Sequence, residues 1–221
     1  MRRRVALSRP AGDDGDADPA VTAALEGYAA GQVAEAAVLT ALSASRLLVP
    51  VVAVLAEAGE GGSEKETEMA LPTLVGHDGR KAVIAFTSVA SVGRWRADAR
   101  PVPVPAGRLW AAVAAEQADA AVIDVAGPVP LVIEGARLAA LAAGEAPPAP
   151  ERDPDVYAQV AVATEGLTAG PGGFTLEPGG PGADLGITLR TADPAAARAA
   201  AEAIAARLAP RFRRGIAFRL G

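Results

Sequence analysis

The sequence predicts an α+β fold. The expectation is a mixed or antiparallel sheet flanked by helices, followed by a small β-β-α-β C-terminal domain. Three observations carry it. Segments with apolar residues at three- and four-residue steps alternate with short β-branched runs. Turn-forming clusters such as Gly76-His77-Asp78-Gly79-Arg80 join paired runs. A Pro-rich, charged stretch over 145–154 (EAPPAPERDP) divides the chain.

The elements follow in order. Residues 1–17 are polar, Arg-rich and then Asp-rich, and read as a disordered tail. Asp18-Pro19 opens a helix, with Asp as cap and Pro at the first helical position. Val21, Ala24, Leu25 and Tyr28 share its inner face, and Gly31 is its stop. A second helix over about 34–44 sets Val38, Leu39 and Leu42 on one side. Arg46 to Leu55 reads as a buried strand, in which Pro50 favours an edge or a bulge because it has no N–H to donate. Gly59 to Glu68 is a charged loop. Leu71–Val75 and Lys81–Phe86 form a hairpin about Gly76–Arg80, and Thr87 or Ser88 caps a short helix through Trp95.

Beyond it, Val102–Pro105 is extended and leads into a helix over about 106–117. Strands at 120–125 and 129–133 follow, separated by Ala126-Gly127-Pro128, and a helix over 134–143 stops at Gly144. Past the linker, Val156, Ala158, Val160 and Val162 alternate as in a half-buried strand. Gly-rich segments at 170–173 and 178–182 flank Phe174-Thr175-Leu176. Leu185, Ile187 and Leu189 alternate again, Asp193-Pro194 starts an Ala-rich helix, and 215–220 is a last strand. The resulting division is a tail over 1–17, a domain over 18–144, a linker over 145–154 and a small α+β domain over 155–221.

Composition removes several classes of function. The 221 residues hold one His, no Cys and a net charge of −5. Without Cys there is no disulfide framework, thiol nucleophile or zinc-ribbon site, and one His cannot build a multi-histidine metal site. Net acidity argues against general nucleic-acid binding. Arg outnumbers Lys 19 to 2, and with the Ala, Gly and Pro excess this points to GC-rich bacterial codon usage. Met1-Arg2-Arg3-Arg4 is followed by polar residues, unlike a secretory leader. The longest strongly apolar run is about ten residues, against ~20 for a membrane helix. A cytoplasmic protein is expected.

Most side chains able to do chemistry have a simpler role. His77 beside Asp78 has the composition of a solvent-exposed turn, although a base or a metal ligand is conceivable there. Ser88 and Ser91 are the hydroxyls available for a triad, but Ser88 already has a capping role. Asp119 and Asp124, with Glu116 just before them, flank one strand roughly 16 Å apart, too far for direct acid–base cooperation. The Gly-rich segments at 170–182 lack the Lys of a phosphate-binding loop. Glu60, Glu64, Glu66 and Glu68 lack the spacing of a calcium loop. Arg207, Arg211, Arg213 and Arg214 suit a helix C-terminus. In a chain this poor in aromatics, Trp95 and Trp110 both read first as core anchors, Val89 and Val92 preceding Trp95 at three-residue steps and Trp110 preceding Val113 by three, with an interface role as the alternative. Arg94-Trp95-Arg96 is the candidate interaction surface, since Trp and Arg are common at binding hot spots.

Four motifs in order carry a resemblance: Leu47-Leu48-Val49-Pro50-Val51; Leu71-Pro72-Thr73-Leu74 with Asp78-Gly79-Arg80; Ala85-Phe86-Thr87-Ser88 entering a helix that ends near Trp95; and Ala126 to Ile133. By these, residues 19–143 resemble the N-terminal domain of the SseB family (enhanced serine sensitivity proteins). Residues 151–221 are similar to that family's small C-terminal domain. The resemblance implies an α+β fold and the bacterial cytosol, and no reaction, cofactor or catalytic residue. The expected function is a non-catalytic module binding a protein partner, with no nucleic acid, membrane, cofactor or metal. The alternative is a small-ligand binder or enzyme with a site between the two domains, for which a pocket lined by His77, Asp78 and Arg80 would speak.

Overall fold

The structure, a computed structural model, describes residues 13–51, 73–165 and 173–221. The expected loop at 59–68, the strand end at 52–55 and the start of the hairpin at 71–72 lie outside the described residues, as do 1–12 of the tail and 170–172 of the Gly-rich stretch. The described residues fall into two compact units. One holds those up to Pro19 with Leu42–Glu134; the other holds Ala20–Ala41 with Gly135–Gly221.

In the first unit, β1 (Arg46–Val51) pairs antiparallel with β4 (Arg100–Pro105) as a two-stranded ribbon. Pro50 faces Pro101, and Leu48 faces Pro103. Prolines lack the ladder donor, so such strands belong at edges, and in a two-stranded ribbon both strands are edges. Leu47, Leu48 and Val49 are buried. The main sheet has the order β2 (Thr73–Val75), β3 (Lys81–Ala85), β5 (Ala120–Ile123), β6 (Leu131–Glu134). Only the β3–β5 pair is parallel. Joining parallel neighbours requires a crossover, here made by α3 (Val89–Trp95), β4 and α4 (Ala106–Ala115). Leu48 bridges to Phe86 by reciprocal backbone bonds of 2.7 and 2.8 Å, tying the ribbon to the sheet. Leu48, Ile84, Phe86 and Val92 form a core against which Trp95 packs. Trp110, Leu109 and Val113 are buried on α4, as its spacing predicts. The outcome is a mixed sheet flanked by helices.

The second unit contains α1 (Pro19–Ala29) from Ala20 onward, α2 (Glu35–Ala44) up to Ala41, α5 (Gly135–Ala143), a 3-10 turn at Pro150–Arg152 and α6 (Pro154–Ala163). It ends with β7 (Phe174–Pro178), β8 (Leu185–Leu189), α7 (Pro194–Leu208) and β9 (Ile216–Leu220). The sheet order is β7-β8-β9, antiparallel and then parallel. Ile204 and Leu208 of α7, Val156 and Val160 of α6, and Leu185, Ile187 and Leu189 of β8 share one core with Phe212.

Three expectations need correction. Residues 156–162 form a helix. Val156 and Val160 are four apart and both buried, whereas Val162 is 58% exposed, so the apparent two-residue period is a helical step in disguise. Asp153-Pro154 supplies the start signal: the Asp153 side chain accepts from the Asp155 N–H at 2.9 Å and Pro154 is the first helical residue. The first strand of the small domain is therefore β7. Next, the expected break at 145–154 does not separate the units, because side chains from α2 and α5 are tied to residues around and beyond it, as described below. Finally, residues 13–16 of the expected tail are held in place by Arg46.

Candidate functional site

Parallel strands β3 and β5 end side by side, with Ala85 opposite Ile123. In open α/β sheets this edge is where sites gather, and here the chain places Thr87 and Asp124 just beyond it. Asp124 is 4% exposed and accepts from the Thr87 N–H at 2.9 Å and the Thr87 hydroxyl at 2.6 Å. Its φ is 50°, a left-handed conformation that Asp adopts more readily than most residues. Ser88 caps α3 by accepting from the Ser91 N–H at 3.1 Å. Arg46, at the start of β1, donates to the Thr87 carbonyl at 2.7 Å and holds Asp13 through a fork, Nε to Oδ2 and Nη2 to Oδ1, each 2.8 Å. The polar side chains at this edge thus bond one another.

The candidate surface Arg94-Trp95-Arg96 closes α3. Trp95 is half-buried, its ring 5.6 Å from that of Phe86 at 38°. Arg94 and Arg96 are exposed. The Arg96 guanidinium lies 5.9 Å from the Trp95 ring centroid, within cation–π range. It also forks onto Asp98 at 3.0 and 2.7 Å, and this hydrogen bonding holds the Asp98 carboxyl below the usual carboxylate range. Such an exposed pair contributes little to stability, so Arg96 can exchange Asp98 for another carboxylate at small cost.

In the second unit, Glu35 is 6% exposed and joins Arg137 and Arg211; its Oε2 is 2.7 Å from Arg211 Nε. Arg211 Nη1 reaches Asp153 Oδ2 at 2.7 Å, and Asp153 is fully buried. The Tyr28 hydroxyl donates to the Arg211 carbonyl at 2.7 Å, and burial together with the Glu35 charge pushes its pKa up to about 12. Gly135 has φ of 58°, and the Ala136 N–H beside it donates to Asp155 at 2.7 Å; a Cβ on Gly135 would collide with that carboxylate. Asp184 accepts from the Arg214 N–H at 3.0 Å, and burial raises its pKa. The expectation that Arg207, Arg211, Arg213 and Arg214 serve one helix end needs correction. The helix stops at Leu208; Arg211 and Arg214 are ion-paired beyond it, and Arg213 lies 5.9 Å from the Tyr28 ring centroid.

The remaining candidates stay apart. Gly76 through Arg80 are all exposed, so the hairpin tip that carries His77, Asp78 and Arg80 is open to solvent; Arg80 pairs with Glu134. Asp119 accepts from the Lys81 N–H at 2.7 Å at the opposite end of β5 from Asp124, so the two carboxylates do separate work. Glu60, Glu64, Glu66 and Glu68 lie outside the described residues. Among the described residues, no group of three or more His, Cys, Asp or Glu is placed to hold a metal ion, and no helix is long and apolar enough to cross a membrane. Sequence reasoning missed Arg46 and Glu35 as organising charges. The one signal available was an Arg and a Glu at element starts in otherwise apolar surroundings.

A family model described as the SseB protein N-terminal domain matches residues 21–140, just over half of the chain. Neither the curated proteins nor the solved structures give a match.

Proposed function

This chain belongs to the SseB family, and we propose that it works as a non-catalytic protein-interaction module of the bacterial cytosol. One observation carries the reading: at the end of α3, exposed Arg94 and Arg96 adjoin in sequence a half-buried Trp95, whose ring packs 5.6 Å from that of Phe86 and 5.9 Å from the Arg96 guanidinium. A ring already immobilised loses little entropy on binding, and exposed guanidinium groups add carboxylate recognition, the combination found at interface hot spots. Support also comes from the edge of the parallel strands. Thr87 bonds Asp124 there, and Ser88 accepts from the Ser91 N–H, two local contacts that stiffen the entry to α3. The partner is a protein that presents acidic side chains to this surface.

The test is chemical cross-linking in native cytosol, comparing the natural protein with Arg94→Glu and Arg96→Glu. Both changes are at exposed positions, so folding should be retained. Each charge reversal is expected to reduce the yield of a discrete protein adduct at least tenfold. An adduct pattern unchanged by both reversals would overturn the proposal.

A further inference from the structure

Arg46 has a set of bonds that the proposed surface does not use. Besides the fork to Asp13 and the bond to the Thr87 carbonyl, its Nη2 donates to the Asp16 carbonyl. The Val89 N–H completes the grip by donating to the Gly15 carbonyl at 2.8 Å. The segment that is held, Asp13-Asp14-Gly15-Asp16, has no apolar side chain to bury. Its shape is locally encoded: the Gly15 N–H donates to the Asp13 carboxylate at 2.9 Å, and the Asp16 N–H to the Asp14 carboxylate at 3.0 Å. Such Asx turns form from the segment itself. Charge and hydrogen bonds to one guanidinium, whose side chain is 21% exposed, together with the Val89 N–H, thus hold the segment.

We propose that Arg46 is the receptor of an acidic-peptide docking site, filled in this state by Asp13–Asp16 of the same chain and open to a partner segment with the same Asp-rich turn chemistry. The occupant follows from charge complementarity and from the template already seated there: a forked carboxylate, then two carbonyls reaching Arg46 and Val89. The inference rests on reading the chain as an interaction module but not on the Arg94–Trp95–Arg96 surface, so the two stand or fall separately. A tethered segment has an effective concentration on the order of millimolar. A partner must outcompete it, and the N-terminal segment acts as a brake on docking.

The experiment uses the full chain and a labelled nonapeptide with the sequence of residues 11–19 (AGDDGDADP). Asp13→Lys removes the forked carboxylate and repels Arg46. In fluorescence anisotropy, D13K is expected to bind the peptide at least tenfold more tightly than the natural protein, with affinity falling as salt rises. In D13K the Val89 amide should exchange with deuterium faster than in the natural protein, and added peptide should restore its protection. Arg46→Lys in the D13K background keeps the charge but loses the fork, and should weaken binding several-fold; tryptophan emission checks that it is folded. Equal binding by the natural protein and D13K, absence of binding by D13K, or Val89 exchange indifferent to peptide would each overturn the proposal.

Discussion

Thr87→Val isolates one hydrogen bond at the meeting point of the parallel strands. Valine keeps the β-branched shape and the backbone N–H, so the change removes only the hydroxyl that donates to Asp124 at 2.6 Å. Both residues are buried, at 5% and 4% exposure, so water cannot replace the lost donor without disturbing the packing. Asp124 would keep the Thr87 N–H at 2.9 Å. A hydrogen bond to a charged group contributes about 1.5–3 kcal/mol, which is a ten- to hundredfold loss in the folding equilibrium of the first unit. Trp95 and Trp110 both lie in that unit and are the chain's only two tryptophans, so tryptophan emission during urea unfolding reports on it alone. The midpoint should fall with the slope unchanged. Thr87→Ser, which retains the hydroxyl, should recover most of the loss. A Thr87→Val cost below about 0.5 kcal/mol would refute the reasoning that this bond holds the carboxylate.

Three further outcomes follow from the second unit and from Arg46. Glu35→Gln should cost about 3–5 kcal/mol, because it leaves the buried Arg137 guanidinium without its carboxylate and the half-buried Arg211 with Asp153 alone; near-UV circular dichroism of Tyr28 and Tyr157, both in that unit, gives the readout. For Asp184, burial raises the folded-state pKa. Its contribution to stability is thus fully present below the unfolded value and is lost as pH rises through the folded one. Asp184→Asn should therefore be at least as stable as the natural chain at pH 7 and lose that advantage in acid; a variant less stable at pH 7 would contradict the assignment. The fork at Arg46 predicts that Asp13→Asn alone speeds exchange of the Val89 amide, and unchanged exchange would count against it.

The legible parts of the fold were those with local causes. The cap at Ser88, the stop at Gly144 with φ of 76°, the hairpin about Gly76–Arg80 and the apolar faces of α1 and α4 all follow from residues a few positions apart. Helix α6 was misread because valines at 156, 160 and 162 satisfy both a two-residue and a four-residue step, and only burial separates the two. The charges that organise each unit were illegible for a different reason. Arg46 meets Asp13 across 33 residues, and Glu35 meets Arg211 across 176. Nothing in periodicity or turn chemistry selects one pair among many over such separations. Within the candidate surface, Arg94 and Arg96 are exposed as a binding role requires, while Trp95 is divided between core and surface, a state the sequence expressed only as a choice between the two.

The most direct test of the account places a photo-cross-linking amino acid at position 94 in the natural host, with position 202 on α7 as the exposed control. A discrete protein adduct from position 94, absent from position 202 and lost with Arg96→Glu, is the predicted result. No adduct from position 94, with a small metabolite retained by the protein in native mass spectrometry, would contradict the account.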